Sequence, residues 1–127
     1  MTTSAINYYS IKSQLIFSQF GNIFYICFVM RIFSKGTLRE FWEKYPDARA
    51  SLETWYMIVE SMTFETPNEI VSFFKGADTV KNNRVVFNIC RNKYRLIVKF
   101  EYQFQFAFVR FIGTHKEYDK ITDIENI

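Results

Sequence analysis

Residues 84–102 read RVVFNICRNKYRLIVKFEY, and this stretch decides the fold. Val85, Val86, Phe87 and Ile89 lead into a polar Cys90, Arg91 and Asn92, after which apolar residues take every second position: Tyr94, Leu96, Val98, Phe100 and Tyr102. Lys93, Arg95, Lys99 and Glu101 stand between them, and only Ile97 breaks the alternation. Successive side chains of a strand point to opposite faces, so a period of two means one face on a core and one charged face. The stretch therefore predicts two strands, Arg84–Ile89 and a longer one from Tyr94, joined by a turn at residues 90–92. An aromatic run at residues 104–112, ending at Gly113, predicts a third strand after a two-residue turn at Tyr102 and Gln103. That register sets Arg95 opposite Arg110, beside Lys93 and Lys99. Like charges facing each other across strands cost stability, so the cluster points to a phosphate, a carboxylate partner or plain solvation.

Upstream the period is helical. Thr37 and Glu40 have the spacing of a capping box, and Leu38, Phe41, Trp42 and Tyr45 follow on one face until Pro46 ends the helix. Asp47 is placed to cap a second helix whose Leu52, Trp55, Tyr56, Val59 and Met62 again share a face, forming a hairpin with the first. Thr66, Pro67 and Glu69 make a second capping box with proline at the first helical position, opening a short third helix that carries Ile70, Phe73 and Phe74. Arg31, Ile32 and Phe33 suit a short first strand. Helices followed by sheet give an α+β class, with N-terminal helices packed on a small, mainly antiparallel sheet.

The chain of 127 residues has the length of one domain. Its aromatic content, 20%, favours a core that contains sheet, where such side chains fit the pleat. Two cysteines, Cys27 and Cys90, build no disulfide framework, and with one histidine they do not complete a four-ligand zinc site, so reduced thiols in a cytoplasmic protein are expected. The net charge of +3 conceals a strong asymmetry: residues 81–120 hold nine basic and three acidic groups. A basic segment of that kind suits a phosphate-bearing partner.

Residues 1–29 carry one charge, Lys12, and no clear period. Their apolar run leads straight into Arg31 without a cleavage site, which argues against a secretion signal. Polar residues from Ser13 to Asn22 interrupt the length that a membrane helix needs. We expect the domain to span residues 30–127, with translation starting at Met30 or residues 1–29 forming an extension outside it.

His115, the single histidine, precedes Tyr118 by three residues. In a helical turn both would face one way, toward the end of the sheet that carries Arg110. A lone histidine is often an ordinary surface residue, yet this one is the group suited by its unperturbed pKa to proton transfer near neutrality.

Residues 84–89 (RVVFNI), 92–98 (NKYRLIV), Val109-Arg110 and 113–119 (GTHKEYD) resemble the HigB family of toxins from bacterial type II toxin–antitoxin systems, within the RelE-like superfamily. The resemblance spans about residues 30–121 and leaves residues 1–29 without a counterpart. It implies a compact RelE-like fold and a ribosome-dependent endoribonuclease, an mRNA interferase, that cuts translated mRNA in the cytoplasm. It also implies a cognate antitoxin of the HigA-like, helix-turn-helix kind, with operator DNA bound only through the antitoxin, and no membrane partner. The resemblance implies a site to which the arginine of the Tyr-Arg-Leu strand, further basic residues and a tyrosine near the C-terminus contribute, and these map to Arg95 and, less securely, Tyr118. Arg110 and His115 join them on structural grounds as catalytic candidates, with acid and base unassigned. Arg91, Lys93, Lys99 and Lys116 are expected to bind RNA phosphate.

Attack of the ribose 2′-oxygen on its own phosphodiester needs a proton removed, a proton supplied and a crowded phosphate neutralised, for which arginines serve. The basic segment offers no convincing carboxylate cage, so neither metal nor cofactor is expected. The alternative is a noncatalytic RNA- or protein-binding module that uses a basic, aromatic sheet face.

Overall fold

The computed structural model describes residues 30–127, together with the two-residue strands β1 (Ile16–Phe17) and β2 (Ile23–Phe24), which pair antiparallel. The rest of residues 1–29, on which the expected start at Met30 bears, lies outside the described residues. From Met30 the order is β3 (Arg31–Phe33), α1 (Lys35–Lys44), a 3-10 turn (Pro46–Ala48), α2 (Arg49–Ser61), α3 (Pro67–Phe73), β4 (Asp78–Val80), β5 (Arg84–Ile89), β6 (Tyr94–Glu101), β7 (Phe106–Thr114), α4 (His115–Asp119) and a closing 3-10 turn (Ile124–Asn126). The five-stranded sheet runs β3-β7-β6-β5-β4, antiparallel except where β3 pairs parallel to β7. This is the expected α+β arrangement.

The helices cover one face of the sheet. Leu38, Leu52, Trp55, Val59, Met62 and Ile70 are buried against inward-facing residues of β5, β6 and β7, among them Phe87, Leu96 and Phe100. Each such side chain contributes on the order of 1.5–3 kcal/mol on leaving water. Aromatic edges meet ring faces through this layer: Phe87 lies 5.4 Å from Trp55, 5.1 Å from Phe74 and 6.1 Å from Phe100, each near perpendicular.

Two of the expected caps do not form. Helix α1 begins at Lys35, three residues early, because Ser34 takes a left-handed φ of 80° and turns the chain directly out of β3. Thr37 is thus already helical, and its N–H bonds the Ser34 carbonyl at 3.1 Å. Asp47 does not cap α2, which starts after Ala48 without a side-chain cap, because its carboxylate reaches Lys93 and Tyr94 instead. The third cap forms: Thr66 accepts the Glu69 N–H at 3.3 Å, and the Glu69 carboxylate accepts the Glu65 N–H at 3.0 Å.

The register of β6 on β7 also departs from expectation. The turn has four residues, 102–105, and Glu101 pairs with Phe106. Gln105, at a φ of 56°, accounts for the extra length: its Nε2 donates to the Phe64 carbonyl at 2.6 Å and to that of Tyr102 at 2.7 Å, while its Oε1 accepts the Phe64 N–H at 3.2 Å. Further along, Ile97 faces Phe111 and Val98 faces Val109, so Arg110 sits in a bulge with no cross-strand partner. Arg95 faces Gly113, and the expected Arg95–Arg110 pair does not exist. Among the described residues no helix is long and apolar enough to cross a membrane.

Candidate active site

The site is built where β7 ends. Thr114 accepts the Glu117 N–H at 3.2 Å and the Glu117 carboxylate accepts the Thr114 N–H at 2.8 Å, a complete capping box. These hydrogen bonds hold the Glu117 carboxyl below its ordinary pKa, the backbone bond most of all. The box starts α4 on the last residue of the strand, and the His115 N–H bonds the Lys93 carbonyl at 3.2 Å. The short helix is thereby tied to the turn between β5 and β6.

On this helix His115 and Tyr118 do face one way, with ring centroids 6.5 Å apart. The Arg95 guanidinium lies over the Tyr118 ring, 5.8 Å from its centroid, and its Nη1 donates to the Asn92 carbonyl at 3.0 Å. Gly113, opposite Arg95, permits the crowding there: a Cβ on it would lie 2.5 Å from Phe111 Cζ. Arg95, His115 and Tyr118 thus converge on one end of the sheet. Arg110 does not join them, being exposed in the bulge, two to three residues down the sheet and about 7–10 Å away by strand rise.

A further participant escaped the sequence reading. Asp119 lies one helical turn after His115, and its Oδ2 is 3.0 Å from His115 Nδ1. When Nδ1–H donates to this carboxylate, Nε2 remains as the acceptor facing outward. The spacing i, i+4 was the available signal.

The four phosphate-binding candidates divide in two. Lys93 forms an ion pair with Asp47, whose other oxygen accepts the Tyr94 hydroxyl at 2.7 Å. The Lys93 hydrogen bond, then that of Tyr94, lowers the Asp47 pKa; the same bond raises that of Lys93, and burial raises that of Tyr94. Lys99 pairs with Glu101 at 3.2 Å. Arg91, at a left-handed φ of 66°, and Lys116 on α4 are exposed. Asp47 was invisible as a partner because 46 residues separate it from Lys93. Cys90 Sγ donates to the Asp47 carbonyl at 3.4 Å, a second tie to the same turn. Among the described residues, no three His, Cys, Asp or Glu side chains come together as metal ligands.

A helical layer on a five-stranded mixed sheet is consistent with a RelE-like domain. The model of the HigB toxin family, the RelE-like toxic component of a toxin–antitoxin system, matches residues 48–121, and the chain belongs to that family. The mRNA interferase HigB of Escherichia coli O6:H1 is 33% identical over 95 residues, which cover 73% of this chain and 92% of that protein. The mRNA interferase toxin HigB of Escherichia coli K12 and the mRNA interferase HigB of Shigella flexneri are each 27% identical over 97 residues, 75% of this chain and 93% of theirs. Family membership implies pairing with an antitoxin.

Proposed function

We propose that the protein is an mRNA endoribonuclease that cuts message on the ribosome, and that Arg95, His115 and Tyr118 do the work. The convergence of these three side chains carries the reading, and the names of the relatives support it. The ribose 2′-oxygen attacks the adjacent phosphorus while His115 Nε2 takes its proton. The bond from phosphorus to the 5′-oxygen breaks, the leaving oxygen gains a proton, and a 2′,3′-cyclic phosphate remains. The Tyr118 hydroxyl donates that proton or orients the substrate. Arg95 neutralises the phosphate as charge builds on it. The reaction needs no metal in this scheme.

The antitoxin is of the HigA-like, helix-turn-helix kind and carries the operator contact, and the toxin acts in the cytoplasm. Purified protein should leave free RNA largely intact and cut message in translating ribosomes, with EDTA at levels that spare the ribosome leaving the activity in place. Efficient metal-dependent cutting of naked RNA would defeat the proposal.

A further inference from the structure

The outer face of the sheet, away from the helices, is divided lengthwise. On its β5 side lies the C-terminal tail: Arg84 Nη2 donates to the Ile127 carbonyl at 2.7 Å and Asn82 Nδ2 to the Glu125 carbonyl at 3.1 Å. The β3 side is lined with rings. Phe33 is 40% exposed and Phe104 is 62% exposed. Phe33 stacks on Phe108 at 4.9 Å and 13°, and Phe104 on Phe106 at 5.9 Å and 25°. Core rings such as Trp55 and Phe87 meet edge to face and are buried. Phe106 also meets Phe33 edge to face at 5.3 Å and Phe108 at 6.1 Å, so the four outer rings form one cluster in which Phe33 and Phe104 are open to solvent.

Cations are set among these rings. Arg31, two residues before Phe33 and so on the same face of β3, is exposed and has no carboxylate partner among the described residues. Lys99 stands directly opposite Phe108 in the ladder, and its partner Glu101 stands opposite Phe106. Lys99 and Arg95 share a face of β6 four residues apart, about 14 Å of strand. The aromatic bank thus begins about 14 Å along β6 from Arg95, with the buried Ile97 between Lys99 and Arg95 on that face.

We propose that this bank is a stacking track for the single-stranded RNA whose phosphate is held at Arg95. The inference rests on the nuclease reading above, since a strand cut at one phosphate must continue on both sides of it. Open rings flanked by Arg31 and Arg95, which have no carboxylate partner among the described residues, match alternating bases and phosphates, and stacking takes any base because each has a π-face.

The probe is a short single-stranded 2′-O-methyl oligoribonucleotide of mixed sequence, which lacks the attacking hydroxyl, titrated into the full-length protein by fluorescence anisotropy. Phe33→Ala and Phe104→Ala should each weaken binding by roughly fivefold or more, the loss expected for a base-stacking ring. Phe104→Trp should preserve it. Arg31→Gln should weaken binding and reduce its salt dependence by about one phosphate contact. In translating ribosomes the alanine variants should raise KM more than they lower kcat. Unchanged oligonucleotide affinity and KM in the doubly substituted protein would overturn the track. A loss confined to antitoxin binding would overturn it too, making the bank a protein-docking face. Cutting separates the two ideas: no cutting of message by the unsubstituted protein, on or off the ribosome, defeats the nuclease reading, whereas Arg95-dependent cutting with ring-independent binding defeats the track alone.

Discussion

The two turns that flank β6 are held in opposite ways. The turn at residues 90–93 is held by charge: the exposed Asp47 carboxylate grips Lys93 and the Tyr94 hydroxyl, and Asn92 and Lys93 offer their carbonyls to Arg95 and His115. The turn at residues 102–105 is held by neutral groups, with Gln105 bridging both backbone groups of Phe64. Tyr102 packs beside it with its hydroxyl buried and without a partner among the described residues, and burial pushes its pKa up to about 12. The charged turn carries the proposed site and the neutral one carries architecture. That contrast teaches where function and where stability are exposed to substitution.

The largest expected effect falls at the charged turn. Arg95→Ala should cost on the order of 10²–10³-fold in cleavage, the usual price of removing one charge-stabilising donor, with an unchanged circular dichroism spectrum. Arg110→Ala, out in the bulge, should cost less than about tenfold if it serves only as a distant cation. An equal loss in both variants would erase the distinction between the site and the rest of the basic face.

Next comes proton transfer. His115→Gln should slow single-turnover cleavage by roughly 10–100-fold and flatten the low-pH limb of the rate profile, whereas Tyr118→Phe should slow it with that limb intact. A rate and profile untouched by His115→Gln would make His115 a surface residue and leave the phosphate to Arg95.

At the neutral turn the effect should be thermal. Gln105→Ala leaves the Phe64 N–H and carbonyl short of partners, at a cost of about 1–3 kcal/mol. That corresponds to a fall in Tm of several degrees for a domain of this size, measured by calorimetry, with single-turnover cleavage at 25 °C preserved. Lost cleavage in a folded Gln105→Ala protein would show that the two turns are not separable.

The smallest effects distinguish the turns by pH. A carboxyl with a depressed pKa contributes stability that is present above its unfolded value, near 3.9, and lost as pH falls through the lower folded value. The Asp47 contribution should therefore fade below about pH 4, and Asp47→Asn should lack that acid-sensitive component of Tm. Tyr102 has the opposite sign. Its contribution is complete below pH 10 and disappears as pH rises through about 12, a component that Tyr102→Phe should remove.

The same contrast explains what was legible in the sequence. The β5–β6 hairpin, the cap at Thr66 and the turn of helix after Thr114 were readable because their determinants lie within a few residues of one another. Arg95, His115 and Tyr118 were found together for that reason, since each stands on a locally encoded element. The length of the β6–β7 turn was not readable, because the Gln105 that sets it answers to Phe64, 41 residues earlier. Arg110 was misplaced by the resulting register and by the bulge at Val109 and Arg110, which no periodicity announces. Asp47 had a plausible local use as a helix cap, and a distant lysine and tyrosine prevailed.

The parallel pairing of β3 with β7 also governs when the molecule comes into being. Arg31 pairs with Phe106, and α4 follows β7, so an early strand waits for a late partner. Contacts so distant in sequence form slowly, and a nascent chain folds from its N-terminus as it emerges. The helices and the β4–β6 meander can collapse during synthesis, yet Tyr118 cannot reach Arg95 until residues 106–119 have left the tunnel. Arg95 and Tyr118 are thus brought together only once the last strand of the sheet and the helix after it have been made, however early the helical layer forms.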